Sequence, residues 1–221
     1  MSLLAPPLRA LAQFDDPAFI GVLWRSLLWA LLGFAALAFG IARGAASALA
    51  GHAWLGWLAG LLGGVGALLL AFYFFLPVVS VVAMLFLDRI AAAVERRWYP
   101  GLPPAAAAPL ATQVWDGVAL GLRVFVWQAI VLLLALIPPL APVAAPLGWL
   151  IAAWSIGRGL FVAVAMRRMT RAAATRLYAR CRLDVLAQGA LIALGSLVPV
   201  LNLLVPVLGT AAMVHVFHES R

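Results

Sequence analysis

The strongest constraint in this chain is a pair of stretches, residues 124–157 and 185–218, that carry no charged side chain and are each interrupted by proline near the middle. Pro138 and Pro139 open the break in the first stretch and Pro199 opens it in the second, because proline cannot continue a helix. Each half then holds about 14 residues, or about 21 Å of helix. Because a hydrocarbon core is about 30 Å thick, the pattern predicts two helical hairpins that penetrate half of a bilayer.

The two stretches also resemble each other. Residues 137–148 are similar to residues 198–209, at an offset of 61 positions. Broken hydrophobic segments at corresponding positions are typical of transport sites, and the irregular backbone at each turn must face protein or a water-filled cavity. The alternative is that the prolines only fold each hairpin back so that it packs against the bundle.

Two further charge-free runs, at residues 26–42 and 44–87, predict two long transmembrane helices. A membrane helix needs about 20 apolar residues. The first run extends back to residue 19 if Arg25 snorkels or pairs, which gives a helix at 19–42, and the second gives a helix at 55–87 after a loop rich in glycine and alanine at 43–54. We expect Asp16 to cap the first helix and Pro17 to occupy its first position.

The composition agrees with a lipid environment. Hydrophobic residues make up 67% of the 221 and charged residues only 10%, against about 25% in a soluble domain. Such a chain is not expected to be a cytosolic enzyme or intrinsically disordered. We predict an all-α integral membrane protein that forms one domain over residues 1–221, with two long transmembrane helices, two proline-hinged half-penetrating helical hairpins and cytoplasmic amphipathic helices.

The charges that remain are mostly basic and lie between the apolar runs. The net charge is +8, and segment 158–184 contributes +6 of it through seven arginines and Asp184. The positive-inside rule places this segment, segment 88–123 and the N-terminus in the cytoplasm. Segment 158–184 is predicted to be basic and amphipathic, and either contacts anionic headgroups or concentrates an anion at a pore mouth. Nucleic acid is not an expected partner.

Side chains suited to catalysis are not grouped in the sequence. No glycine-rich phosphate loop with lysine is present, so nucleotide hydrolysis is not expected. His215 and His218 could share a helix face, but only Glu219 is near them as a further ligand, and interfacial or packing histidines are the better interpretation. Cys181 lies among arginines, which we expect to lower the pKa of its thiol, yet no base accompanies it. We therefore expect no enzyme, no metal and no cofactor.

Several motifs are similar in sequence to those of a known family. The most specific are in the last hairpin: Gln188-Gly189-Ala190-Leu191, Val198-Pro199-Val200-Leu201-Asn202-Leu203 and Gly209-Thr210-Ala211-Ala212-Met213. Two others are Ala71-Phe72-Tyr73-Phe74-Phe75 and Val94-Glu95-Arg96-Arg97. Together they resemble the CysZ sulfate permease family, also called the etoposide-induced-protein family, and the resemblance covers about residues 10–218.

The resemblance implies a multi-pass protein of the bacterial inner membrane that admits sulfate for cysteine synthesis without ATP. It also implies homo-oligomers, in which protomers of opposite membrane orientation can pack together. Sulfate permeases of the family carry Pro-Gly-Leu-Arg-Arg at the start of the first long helix, and the paired arginines bind the anion. The matching stretch here is Pro17-Ala18-Phe19-Ile20-Gly21, and the next arginine is Arg25, about one helical turn after Gly21.

We therefore hypothesise a permease or channel for sulfate or a related oxyanion. Arg25 would attract the anion, Glu95 and Arg97 would pair along the path, and Asn202 would offer a hydrogen bond at a hairpin turn. The expected partners are the oxyanion, a bilayer with anionic headgroups and further copies of the chain. A non-transporting membrane scaffold or assembly factor is the alternative, and a lipid-modifying enzyme is a more distant one.

Overall fold

The computed structural model describes residues 5–48, 87–106 and 108–221, and all regular structure in these ranges is helical, as predicted. The helices are α1 (Ala5–Leu11), α2 (Pro17–Ala48), α3 (Leu87–Trp98), α4 (Leu110–Ala135), α5 (Ala141–Met166), α6 (Arg171–Arg180), α7 (Arg182–Gly195) and α8 (Pro199–Glu219). The helix predicted at 55–87 lies outside the described residues, apart from Leu87.

The chain divides into two compact units, which are Met1–Ile20 with Phe86–Arg221, and Gly21–Leu85. In the second unit the described part is the continuation of α2, which extends to Ala48. Residues 43–48 are therefore helical, although we predicted a loop at 43–54, because an alanine-rich segment with a single glycine still favours a helix. The rest of that predicted loop lies outside the described residues.

The start of α2 is the one predicted from the sequence. Pro17 is its first residue, and Asp16 Oδ1 accepts a hydrogen bond from the Ala18 N–H at 2.9 Å. A carboxylate in this position satisfies an N–H group that has no acceptor within the helix. The capping role of Asp16 is thus confirmed.

The helices of the first hairpin are longer than predicted. Both α4 and α5 have 26 residues, or about 39 Å, and both are long and apolar enough to cross a membrane. The turn at 136–140 coincides with the predicted proline break. Our length of 14 residues for each arm was too short, because we ended the arms at Arg123 and Arg158. Both residues lie within their helices: Arg158 is buried and pairs with Asp116 of α4 at 3.1 Å, and Arg123 is exposed on α4.

The second hairpin is asymmetric. Helix α7 has 14 residues, but it begins and ends three residues before the predicted arm at 185–198, and α8 has 21 residues. Pro199 is the first residue of α8 rather than part of the turn, because at that position its missing N–H removes no helical hydrogen bond. Pro206 lies within α8, and Thr210 Oγ1 donates to its carbonyl at 2.6 Å. The break therefore lies at 196–198, just before the proline.

The packing of the two hairpins preserves the sequence repeat. Gly148 of α5 faces α4, so that a Cβ at this position would lie 3.5 Å from Val131 Cγ1. Gly209 of α8 faces α7 in the same way, and a Cβ there would lie 3.3 Å from Ile192 Cδ1. Gly209 and Ile192 each follow Gly148 and Val131 by 61 positions, which is the offset of the repeat. The sequence repeat is thus reflected in matching contacts between the two helices of each hairpin.

Helix α5 is central to the first unit and packs against α4, α6, α7 and α8. Its closest approach is to α7, where Gly157 and Gly189 face each other. A Cβ on Gly157 would lie 2.6 Å from the Val185 carbonyl oxygen, and a Cβ on Gly189 would lie 2.9 Å from the Gly157 Cα. Real Cβ atoms do not approach other atoms within 3.0 Å, so this crossing depends on glycine in both helices.

We expect Gly189→Ala to destabilise the protein by about 1–3 kcal/mol, because the added methyl group must displace the backbone of α5. Gly121→Ala is the matched control: nothing lies within 4 Å of a Cβ at that position, and alanine favours a helix over glycine by about 1 kcal/mol. Thermal unfolding in detergent, followed by circular dichroism, measures both. A Gly189→Ala protein as stable as wild type would contradict the observed crossing of α5 and α7.

Candidate functional site

Helix α3 places a carboxylate on an apolar face. Leu87, Ile90, Ala91 and Val94 are buried and recur at the spacing of an amphipathic helix. Glu95 follows them and is also buried, with 6% of its surface exposed. Because an unpaired charge is costly to bury, this carboxylate requires partners from other helices.

Three side chains supply those partners, and together with Glu95 they form the Glu95 cluster. Arg168 Nε lies 2.6 Å from Glu95 Oε1, and Arg167 Nη1 lies 3.0 Å from Oε2. His218 Nε2 lies 3.2 Å from Oε1, and Arg167 also pairs with Asp88 at 2.8 Å. The Glu95 cluster therefore connects α3 with the residues that follow α5 and with the end of α8.

The cluster keeps Glu95 ionised. Burial raises the pKa of this carboxyl, but hydrogen bonds with His218 and Arg168 and the charge of Arg167 outweigh burial and hold the pKa well below its usual range. The resulting stabilisation is complete above the pKa of an unfolded glutamate, about 4.3. It is lost as the pH falls through the lower pKa of the folded state.

An aromatic layer covers the histidines of α8. Tyr99 stacks on His218 with ring centroids 4.2 Å apart, and its hydroxyl forms a 2.9 Å hydrogen bond with His215 Nδ1. Trp98 meets the fully buried His215 ring edge-on at 5.6 Å. His215 is thus a buried packing residue, whereas His218 both packs on Tyr99 and contacts Glu95. In the ranges that the structure describes, no three potential metal ligands lie together.

Gln13 attaches the N-terminal segment to this site. Its Nε2 donates to Asp16 Oδ2 at 2.9 Å and to the Ala93 carbonyl at 3.1 Å, and its Oε1 accepts from Trp98 Nε1 at 3.0 Å. The residue is completely buried. Sequence reasoning missed it, because a glutamine between two helices is usually exposed to solvent.

A second group of buried charges, the Asp116 cluster, connects α4, α5 and the start of α6. Arg158 forms a bidentate pair with Asp116, at 3.1 and 3.2 Å. Arg171 approaches Asp116 Oδ1 at 2.8 Å. The planar guanidinium fork suits such bidentate pairing, whereas lysine offers only a point charge. Asp116, the one acid of α4, therefore connects three helices.

Two of the four residues that we predicted to bind substrate lie in the first unit with described side chains, Glu95 and Arg97. Glu95 lies in its buried cluster, whereas Arg97 is exposed and contacts Asp15 at 3.3 Å. The expected Glu95–Arg97 pair is not formed, because residues two positions apart on a helix do not face each other. Arg25 is exposed on α2, within the second unit. Asn202 belongs to the first turn of α8, and its side chain lies outside the described part of the structure.

The basic segment 158–184 contains the end of α5, all of α6 and the start of α7. Its first residues complete α5, and four of its seven arginines pair with the acids Asp88, Glu95 and Asp116 instead of facing headgroups; they are Arg158, Arg167, Arg168 and Arg171. Asp116 was the signal in the sequence, since an acid in an apolar helix needs a partner. Spacing alone does not identify which arginine supplies it. The other three arginines of the segment are exposed: Arg176, Arg180 and Arg182.

Cys181 differs from its sequence prediction. The thiol is buried and donates to the Leu177 carbonyl at 3.2 Å. Burial raises its pKa above the usual range, so the prediction of a lowered pKa was wrong. The neighbouring arginines do not compensate, because Arg180 and Arg182 direct their charge into solvent.

We expect Glu95→Gln to destabilise the protein by about 3–5 kcal/mol at pH 7, because two buried arginines lose the charge that compensates them. Asp15→Asn is the matched control: the side chain of Asp15 is 79% exposed, and exposed ion pairs contribute about 0–1 kcal/mol. Thermal unfolding in detergent compares the two variants. Equal losses would show that the Glu95 cluster contributes no more than a surface ion pair.

The same proteins test the pH dependence. The stability of the wild type should decrease as the pH falls below about 4.3, because the carboxylate that is paired in the folded state becomes protonated. Glu95→Gln should lack this component of the acid dependence. Unfolding temperatures measured from pH 7 to pH 3 give both curves, and parallel curves would exclude the ionised carboxylate as their origin.

Comparison with known proteins now bears on this geometry. A family model described as sulfate transporter CysZ/Etoposide-induced protein 2.4 matches residues 7–206. No curated protein and no solved structure matches the chain. The matched range includes Glu95 and Asp116 with all four of their arginine partners, and it ends before His218. The chain therefore belongs to the CysZ/etoposide-induced-protein family.

Proposed function

We propose that this protein is a permease or channel that passes sulfate or a related oxyanion across a membrane without ATP. The observation that carries this proposal is the match over residues 7–206 to a family described as a sulfate transporter. The net charge of +8 supports an anionic substrate, because positive potential raises the local concentration of anions. The imported anion would supply sulfate assimilation and cysteine synthesis, and the working form would be a homo-oligomer.

The proposed location is a bacterial inner membrane, with several passes and a cytoplasmic N-terminus. We propose that the hairpins at 124–157 and 185–218 turn inside the bilayer. Arg123 supports half-depth insertion of the first one, because it is exposed on α4 and an exposed charge in hydrocarbon is costly. The part of α4 beyond Arg123 has 12 residues, or about 18 Å. This length reaches roughly the middle of the bilayer.

The proposed substrate contacts follow from exposure and pairing. Arg25 is exposed on α2 and would attract the anion. Arg97 holds Asp15 only through an exposed contact at 3.3 Å, and such weak pairs exchange readily for another oxyanion. Glu95 would act indirectly by orienting its arginine partners, and Asn202 would offer its amide as a hydrogen-bond donor.

The direct test is uptake of radiolabelled sulfate into proteoliposomes that contain the purified protein. Uptake should exceed that of empty vesicles, require no nucleotide and stop when the sulfate gradient is abolished. A rate equal to that of empty vesicles for sulfate and for a panel of other oxyanions would refute the proposal. The result would then favour a scaffold that shares the fold.

Arg25→Ala should reduce the initial rate of sulfate uptake by about tenfold, because a charge-assisted hydrogen bond contributes about 1.5–3 kcal/mol. Arg43→Ala is the matched control, because it removes the same charge from α2. In the wild type, the Arg43 guanidinium lies over the Phe39 ring at 5.1 Å. The rate of Arg43→Ala should stay within twofold of wild type. Equal effects of the two variants would remove Arg25 from the substrate path.

A further inference from the structure

The first unit contains a cavity that the proposed transport path does not use. Its volume is about 740 Å³, and it lies between loop residues 102–106, 108 and 109, the first turn of α4, the end of α5 and the start of α6. Among the residues that the structure describes, its lining includes four arginines and no Asp or Glu side chain; the arginines are Arg167, Arg168, Arg171 and Arg221. A concave surface with charge of one sign attracts ligands of the opposite sign.

The ion pairs leave some of the N–H donors of these arginines unused. A guanidinium carries five N–H donors. Arg168 directs its Nε to Glu95 and its Nη1 to the Pro103 carbonyl at 3.1 Å, and Arg171 directs its Nε and Nη2 to Asp116. Each side chain therefore keeps N–H groups for a ligand. Arg221 packs over the Phe217 ring at 5.2 Å, which leaves its hydrogen-bond donors for the cavity.

The N-terminus of α6 opens on the same space. Thr170 lines the cavity and caps the helix by accepting a hydrogen bond from the Ala173 N–H at 3.4 Å. The N–H groups of Arg171 and Ala172 have no acceptor within the helix. Helix N-termini with such groups bind anions, phosphate in particular. The arginines and the α6 N-terminus thus line the same cavity.

The other walls of the cavity are apolar. They come from the loop and from two methionines, and include Leu102, Pro104, Pro109, Met166 and Met169. An inorganic oxyanion would fill a small part of the cavity, since one water occupies about 30 Å³. Pockets of about 300–1,000 Å³ with apolar walls and a few polar groups typically hold organic ligands. The lining of this cavity therefore suits an anionic group that is part of a larger molecule with an apolar body.

We propose that this cavity binds a phosphate or sulfate ester, whose oxyanion contacts Arg168, Arg171 and the N-terminus of α6 and whose apolar body lies against the proline-rich loop and the methionines. The ester is either the headgroup of an anionic lipid or a soluble metabolite, and both present the same chemistry to the site. The proposal does not depend on sulfate transport.

The test is a binding titration of the full chain in nanodiscs of neutral phosphatidylcholine. The ligands are dioctanoyl phosphatidic acid, phenyl phosphate, inorganic phosphate and inorganic sulfate. At least one of the two esters should bind saturably and at least about tenfold more tightly than either inorganic ion. Binding of phosphatidic acid alone assigns the site to a lipid, and binding of phenyl phosphate assigns it to a soluble ester. The proposal is overturned if neither ester binds or if inorganic phosphate binds equally well.

Variants locate the binding without disturbing the buried ion pairs. Arg221→Glu should weaken ester binding about tenfold or more, because it reverses a charge on the cavity wall. Arg182→Glu makes the same change at an exposed position outside the cavity and should alter binding less than twofold. Ala106→Trp, which fills the cavity without a change of charge, should also weaken binding. If Arg221→Glu and Ala106→Trp both bind like wild type while their unfolding temperatures are normal, the ligand lies elsewhere.

Discussion

One buried carboxylate determines how the first unit is assembled. Glu95 lies on the apolar side of α3, where an ionised group is stable only if other groups compensate its charge. Arg167 and Arg168 follow the last turn of α5, and His218 lies in the last turn of α8, so that compensation requires three helix ends to meet. The aromatic residues around the histidines exclude water from this point. The attachment of α3 to the hairpins follows from these contacts.

The need to compensate buried carboxylates also changes the interpretation of the arginine content. The sequence carries 15 basic residues, which suggests a strongly positive surface. Four of the arginines nearest the hairpins are instead directed inward, towards Asp88, Glu95 and Asp116. Under our proposals, anions would bind to exposed arginines such as Arg25 and to N–H donors that the internal ion pairs leave unused. Transport would use the exposed arginines, and ester binding would use the N–H donors that the internal pairs leave over.

Local sequence rules predicted a large part of the fold. Asp16 caps α2, the proline break lies at the turn between α4 and α5, and the 61-residue repeat reappears in the matching contacts of Gly148 and Gly209. Each of these features depends on residues close together in the chain. The predicted helix end before Arg158 failed because a distant partner intervened: Asp116 neutralises Arg158 from 42 positions away. The site was predicted less well: Glu95 was found, but its partners and Gln13 were not.

The sequence by itself determined that the protein is helical, apolar and hinged at two proline-broken hairpins, because helix periodicity, proline sterics and the absence of charge act over a few neighbouring residues. Only the tertiary structure decided which charges are buried and with which partners. Ion pairing depends on distance in space, and residues such as Glu95 and Arg168 become neighbours only when α3 and α5 pack. The glycines at the α5–α7 crossing belong to the same class, since the reason for each lies in the opposite helix.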